Sequence, residues 1–146
     1  MSSPTNAIVS SRVLAAPREQ VWAAFRDPAV LARWWGPAGF TNTFHEFDFR
    51  PEGEWRFTLH GPDGAAYAMN HRFMEIVRPE RIVVRHFQPG HDFVLTITLA
   101  ALADTTLVTW VMRFDDPAEG ERVRAFIVPA NEQNFDRLTA HLSAHS

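Results

Sequence analysis

The chain has 146 residues, no cysteine, a net charge of -3 and a pI near 6.1, and it carries 12 Phe, 5 Trp and 1 Tyr. That length suits one domain over 1–146 that buries about two thirds of its unfolded surface; the charge and the lack of a basic stripe argue against a nucleic-acid partner, and the missing cysteines exclude disulfides, thiolate metal sites and a cysteine nucleophile. The opening residues have neither a charged n-region nor an apolar h-region, and no apolar run reaches the ~20 residues of a membrane span, so the default expectation is no signal peptide and a cytoplasmic location.

Ala7 to Ala15 alternates, setting Val9, Ser11 and Val13 against Ile8, Ser10 and Arg12, and predicts a strand. Pro17 and Glu19 open a short helix carrying Val21, Trp22 and Phe25. Asp27, with a side chain suited to an N-cap, and Pro28 at the first helical position start a second helix through Leu31, Trp34 and Trp35, which Gly36-Pro37 ends. Two short helices meeting at a proline, with a tryptophan pair at the tip, make a lid-like element.

After Gly39 the hydrophobic period becomes two. Strands are predicted over Phe40 to Arg50, through Trp55, Phe57 and Leu59, over Ala65 to Val77, over Ile82 to Phe87, through Phe93 to Leu99, and through Val108 to Phe114. Turns at Pro51-Glu52-Gly53, Gly61-Pro62-Asp63-Gly64, Arg78-Pro79-Glu80, Pro89-Gly90 and Ala103-Asp104 separate them. In the third of these strands Tyr67, Met69, His71 and Phe73 share a face.

The last stretch, Asp116 to His145, reads as one long amphipathic helix with Asp116 as N-cap, Pro117 first and Glu119 in the first turn. Its stripe is Ile127, Asn131, Asn134, Phe135, Leu138 and Leu142. At about 100° per residue, Asn131 points within roughly 20° of Leu138. Amides in an apolar stripe must be hydrogen-bonded or face water or a ligand. Pro129 lacks an N–H and crowds the carbonyl of Ala125, so the helix either kinks there or stops near Val128 and restarts. A curved antiparallel sheet with one long helix buries both only when the helix stripe lies on the concave face and the short helices close one end, an α+β arrangement.

The run Pro28, Leu31, Trp34-Trp35-Gly36-Pro37 resembles a signature of the START-like (SRPBCC) superfamily, and more narrowly of the branch named after the activator of heat-shock-protein-ninety ATPase. The likeness continues through Asp48, Arg50, Gly53, Trp55 and Phe57, through Gly61-Pro62-Asp63-Gly64, through Phe73 to Val77 with Pro79-Glu80-Arg81, and closes at Phe135-Asp136-Arg137-Leu138. It spans nearly the whole chain in order. Two positions depart from it: Glu52 replaces the first glycine of a usual pair, and Pro129-Ala130 stands where a pair such as Glu-Gly is common. The resemblance implies a helix-grip (START-like, birch-pollen-allergen-like) fold, with a curved antiparallel sheet wrapped around the C-terminal helix, two short N-terminal helices and a hydrophobic ligand cavity between sheet and helix.

No metalloprotease, nucleophile-elbow, Walker or Rossmann motif is present, and no catalytic residue, cofactor or metal is assigned. His45, His60, His71, His86 and His91 lie on different strands or turns; the ordinary reading is a core or rim histidine, with a hydrogen-bonding pocket role favoured over a metal for His71. Glu46, Asp48 and Glu75 are expected on a solvated face beside Arg50, Arg56 or Arg72 rather than in acid/base roles. The expected ligand-contacting set is Trp35, Trp55, Tyr67, Met69, His71, His86, Trp110, Met112, Asn131 and Asn134. The sequence therefore favours a small soluble domain binding a hydrophobic aromatic or acyl molecule. An enzyme of polyketide cyclase or dehydratase type on the same cavity is the alternative, and a co-chaperone stimulating a heat-shock ATPase ranks below both. A homodimer through a sheet edge or helix flank is left open.

Overall fold

The computed structural model describes residues 7–144. Its elements run β1 (Ala7–Leu14), α1 (Arg18–Arg26), α2 (Pro28–Trp34), β2 (Thr41–Phe47), β3 (Glu54–His60), β4 (Ala66–Val77), β5 (Arg81–Phe87), β6 (Phe93–Leu102), β7 (Thr105–Phe114) and α3 (Pro117–Ala144). The strands form one antiparallel sheet in the order β1-β7-β6-β5-β4-β3-β2, so the meander is closed by the N-terminal strand and β1 and β2 are its edges. The strand expected from Phe40 to Arg50 is shorter at both ends, and the helix end expected at His145 lies outside the described residues.

Alternation decides which face each strand buries. On β1, Ile8, Ser10 and Leu14 are buried while Val9 and Val13 stand more than half exposed on the convex side. Register shifts between Phe44 and Glu46 and between Phe73 and Glu75 mark two bulges; the second leaves Met74 half exposed. Bulges bend a strand and raise its local twist, which helps curl the sheet.

Register also lines up rings. Phe47 pairs with Trp55, Trp55 with His71, His71 with His86, His86 with Phe93, and Phe93 with Phe114. Ring centroids along this row are 6.0, 4.9, 4.8, 4.6 and 5.0 Å apart, a continuous aromatic ladder across six strands. The two histidines therefore sit in the middle of a hydrophobic row.

The helix α3 is continuous through Pro129, so the alternative of two separate helices is not taken. Asp116 accepts the Ala118 N–H at 3.0 Å at its start. Its buried positions include Ile127, Asn131, Asn134, Phe135, Leu138 and Leu142, the stripe that the 3.6-residue period predicts. The helix leans on β1 and β7 only, among the strands, and Arg12 of β1 clasps it through Asp136 at 2.7 Å and Glu132 at 2.8 Å. The expectation of a helix lying across the concave face is thus narrowed: its backbone covers one half, and side chains from α2 and the strands cover the other. That offset places the candidate site.

Candidate functional site: an aromatic cavity behind an apolar groove

A cavity of about 130 Å³ lies between α3, the end of α2 and strands β3 to β7. Eight of the ten expected residues line it: Trp35, Trp55, Met69, His71, Trp110, Met112, Asn131 and Asn134. Tyr67 does not; it is two residues further along β4 towards the sheet's end, 48% exposed, on the wall of an outer groove. His86 does not either, because it sits one strand beyond His71 and bonds to its ring from behind.

Asp27 caps α2 by accepting the Ala29 N–H at 3.0 Å, and Gly36, at a φ of 104°, ends it. The two tryptophans of the tip then divide their roles. Trp34 is fully buried and donates its indole N–H to the Ala24 carbonyl at 3.0 Å, fastening α2 to α1. Trp35 turns inward, with its ring 5.0 Å from that of Trp55 and 5.2 Å from that of Trp110, and forms the cavity roof. Arg137 of α3 holds this roof in place by donating to the carbonyls of Arg33, Trp35, Gly36 and Pro37 at 2.8 to 3.2 Å. A cation at the carbonyl end of a helix is favoured by the dipole as well as by the hydrogen bonds. The sequence places Arg137 only within the Phe135-Asp136-Arg137-Leu138 motif and gives no sign of this role.

The polar groups of the wall fall into two sets. Asn131 donates to the Ser10 hydroxyl at 3.2 Å and approaches the Met112 sulfur at 3.7 Å. Asn134 Oδ1 and the indole nitrogens of Trp55 and Trp110 are buried with no hydrogen-bond partner among the described residues. Such a group costs ~1–3 kcal/mol if left unpaired.

His71 is fully engaged. Its Nδ1 lies 3.3 Å from the Trp55 carbonyl, its Nε2 lies 3.0 Å from His86 Nδ1, and His86 Nε2 reaches the Gln88 side chain at 3.2 Å. Burial, reinforced by the nearby His86, lowers the His71 pKa to about 3; burial lowers that of His86 too. With both rings neutral, one proton assignment satisfies the chain: each ring carries its hydrogen on Nδ1, and the Gln88 amide is flipped so that its NH2 takes the place of the Oε1 that lies 3.2 Å from His86 Nε2. His71 is then held by two bonds and stacked against Trp55 and Phe57, with no nitrogen left for a ligand.

In front of the cavity lies a groove of about 550 Å³ whose walls include Phe40, Leu59, Tyr67, Met69, Phe126 and Ala130. Pro37, Leu59 and Met69 line both spaces, so the cavity sits directly behind the groove. Leu59, Val84, Phe93 and Leu95 also belong to the cavity wall, and their strand parity would have found them. Phe126, 69% exposed on the far side of the α3 stripe, carries no such signal. On one rim His91 bonds Glu119 at 2.5 Å, and Arg122 with His91 pulls the Glu119 carboxyl down to about 2.

The remaining carboxylates behave as solvated partners. Asp48 pairs with Arg50, Glu46 with Arg56, and Glu75 with Arg81 rather than with Arg72, which lies 3.8 Å from Glu54. Among the described residues no three histidine, aspartate or glutamate side chains converge to hold a metal, and no helix is long and apolar enough to cross a membrane.

A seven-stranded sheet gripping a long C-terminal helix, with a cavity between them, defines the helix-grip class of START-like domains. Residues 15–143 match the family of activator of Hsp90 ATPase homolog 1-like proteins, and the chain belongs to that family. A solved protein from Chromobacterium violaceum is 30% identical, with 94% of this chain and 96% of that one covered and a TM-score of 0.78. Others are similar in fold, from Rhodobacter sphaeroides at 25% identity, 99% and 96% coverage and TM-score 0.87, and from Nitrosomonas europaea at 18%, 99% and 98% coverage and 0.88. No curated protein matches the chain.

Proposed function

We propose that this domain binds an apolar small molecule in the cytoplasm, seating one end in the aromatic cavity and the rest in the groove. The observation that carries the reading is that the two spaces are neighbours, with Pro37, Leu59 and Met69 lining both. A dry cavity of ~150 Å³ accepts a benzene-sized guest, so the inner space, at about 130 Å³, suits one ring or a short chain end. The groove, within the ~300–1,000 Å³ of ordinary ligand pockets, suits the remainder.

An enzyme of cyclase or dehydratase type would need an acid or base free to touch the substrate. His71 has both nitrogens engaged, and the carboxylates that the sequence singled out are paired outside the cavity. Binding is the better-supported reading.

The test is a thermal-shift and tryptophan-fluorescence screen of aromatic and acyl compounds against the protein and its Ala130→Trp variant. A ligand at ~100 times its dissociation constant adds about 2.7 kcal/mol, several degrees in Tm. Shifts that are seen with the native protein and lost when the groove is blocked support the reading. No shift with any compound removes it.

A further inference from the structure

The walls of both spaces lack one kind of residue. None of the residues lining the cavity is Arg, Asp or Glu, and none lining the groove is either. The chain's 14 basic residues are all arginine, so no lysine is available to reach in or to form a Schiff base. The titratable groups that do line the two spaces are His71 and His91, with Tyr67. His71 is neutral, and His91 faces the Glu119 carboxylate. The Arg137 guanidinium, at the cavity roof, directs its donors to four backbone carbonyls.

A charged ligand end entering this space would lose its hydration and gain no counter-ion, which is heavily unfavourable. An uncharged polar end meets the opposite situation. Asn134 carries a buried carbonyl oxygen without a donor, and Trp55 and Trp110 carry buried N–H groups without an acceptor; all three residues line the cavity. A hydroxyl does both at once. The cavity volume, about 130 Å³, holds little more than one ring with it.

Resting on the binding reading above, we propose that the buried end of the ligand is a hydroxylated aromatic ring, a phenol, that donates to Asn134 Oδ1 and accepts from an indole N–H of Trp55 or Trp110. The site discriminates against carboxylates and against rings that lack the hydroxyl. A pocket built around a hydroxyl rejects the analogue without it because its own polar atoms are then left unpaired.

The experiment titrates the whole protein with three compounds of matched tail: para-butylphenol, butylbenzene and para-butylbenzoate, read by tryptophan fluorescence and Tm. At about pH 8 the phenol binds at least about tenfold more tightly than the other two. The benzoate gains affinity as the pH is lowered, because only its protonated form enters. In Asn134→Leu the phenol and butylbenzene become equal. If the benzoate binds as tightly as the phenol at about pH 8, the neutral-site inference fails while binding stands. If butylbenzene matches the phenol in the native protein, the hydroxyl anchor fails. The native-protein comparison needs no variant, so it holds even if Asn134→Leu folds poorly. Failure of all three to bind, when other apolar compounds do, also overturns the inference; failure of every compound removes the binding reading itself.

Discussion

Glu52 and Gly53 sit side by side in the β2–β3 turn and answer to different constraints. Glu52 has a φ of 70°, a conformation in which a side chain costs roughly 1–2 kcal/mol. Gly53 is constrained by space: a Cβ there would lie 2.0 Å from the Asp48 carbonyl oxygen. Glu52→Gly is therefore expected to raise stability by about 1 kcal/mol, less the entropy glycine adds to the unfolded chain. Gly53→Ala should lower it by more than about 2 kcal/mol. Urea denaturation of the two variants checks both signs. The departure from the family's glycine pair was visible in the sequence, but not that glutamate would keep the left-handed backbone. The buried histidines give a second residue-scale prediction. The folded-state pKa of His71 is about 3, against ~6.5 in an unfolded chain, so between these values the unfolded state binds a proton the folded state refuses. Stability is flat above about pH 6.5 and falls as the pH drops towards 3, by up to about 1.4 kcal/mol per pH unit for each such histidine. His86, lowered in the same direction, adds to the slope. Chemical denaturation at a series of pH values reads it, and His71→Phe should flatten it; an unchanged slope would locate the acid sensitivity elsewhere.

Among the elements, α2 and α3 are tied together by the Arg137 side chain, and the mouth of the cavity depends on that joint. The Arg137 fork satisfies the carbonyl end of a helix of only 7 residues that could not persist alone. Arg137→Met keeps the apolar stem but removes four hydrogen bonds, and should cost about 2 kcal/mol or more. Arg137→Lys should restore little, since an ammonium cannot span carbonyls set out for a planar fork. Amide hydrogen exchange should show faster opening in residues 28–37 with the sheet amides less affected; uniform acceleration would mean the contact serves global stability only. The helices and strands themselves were legible because punctuation and period agreed: Asp27-Pro28 and Asp116-Pro117 each start a helix where they predict one. Pro129 was legible as a conflict without its resolution. Local geometry allows a break or a kink, and the contacts of the flanking turns, through Ile127 and Asn131, keep the helix single.

At the scale of the molecule, the cavity is what remains after a shell of fixed size is filled with rings. Strand parity brought Trp55, Met69, His71, Trp110 and Met112 to one wall and the helical period added Asn131 and Asn134; neither could say how much space they leave, because that depends on how far α3 stands from β3, β4 and β5. The helix rests on β1 and β7, and Trp35 bridges the gap on the other side with contacts to both Trp55 and Trp110. Trp35 is thus the side chain whose size sets the depth of the site. Replacing it with leucine removes a ring from the roof while leaving the Trp34 anchor and the Arg137 bonds, which go to backbone carbonyls, in place. The cost is that of a large-to-small change at a half-buried position, about 2 kcal/mol. In return the enlarged space should accept a two-ring compound such as naphthalene, which the native cavity excludes. The measurement is the Tm shift from naphthalene relative to benzene in Trp35→Leu and in the native protein. A gain specific to the two-ring compound in the variant places binding behind the mouth; equal shifts in both proteins would mean that ligands occupy only the outer groove, whose walls Trp35 does not line.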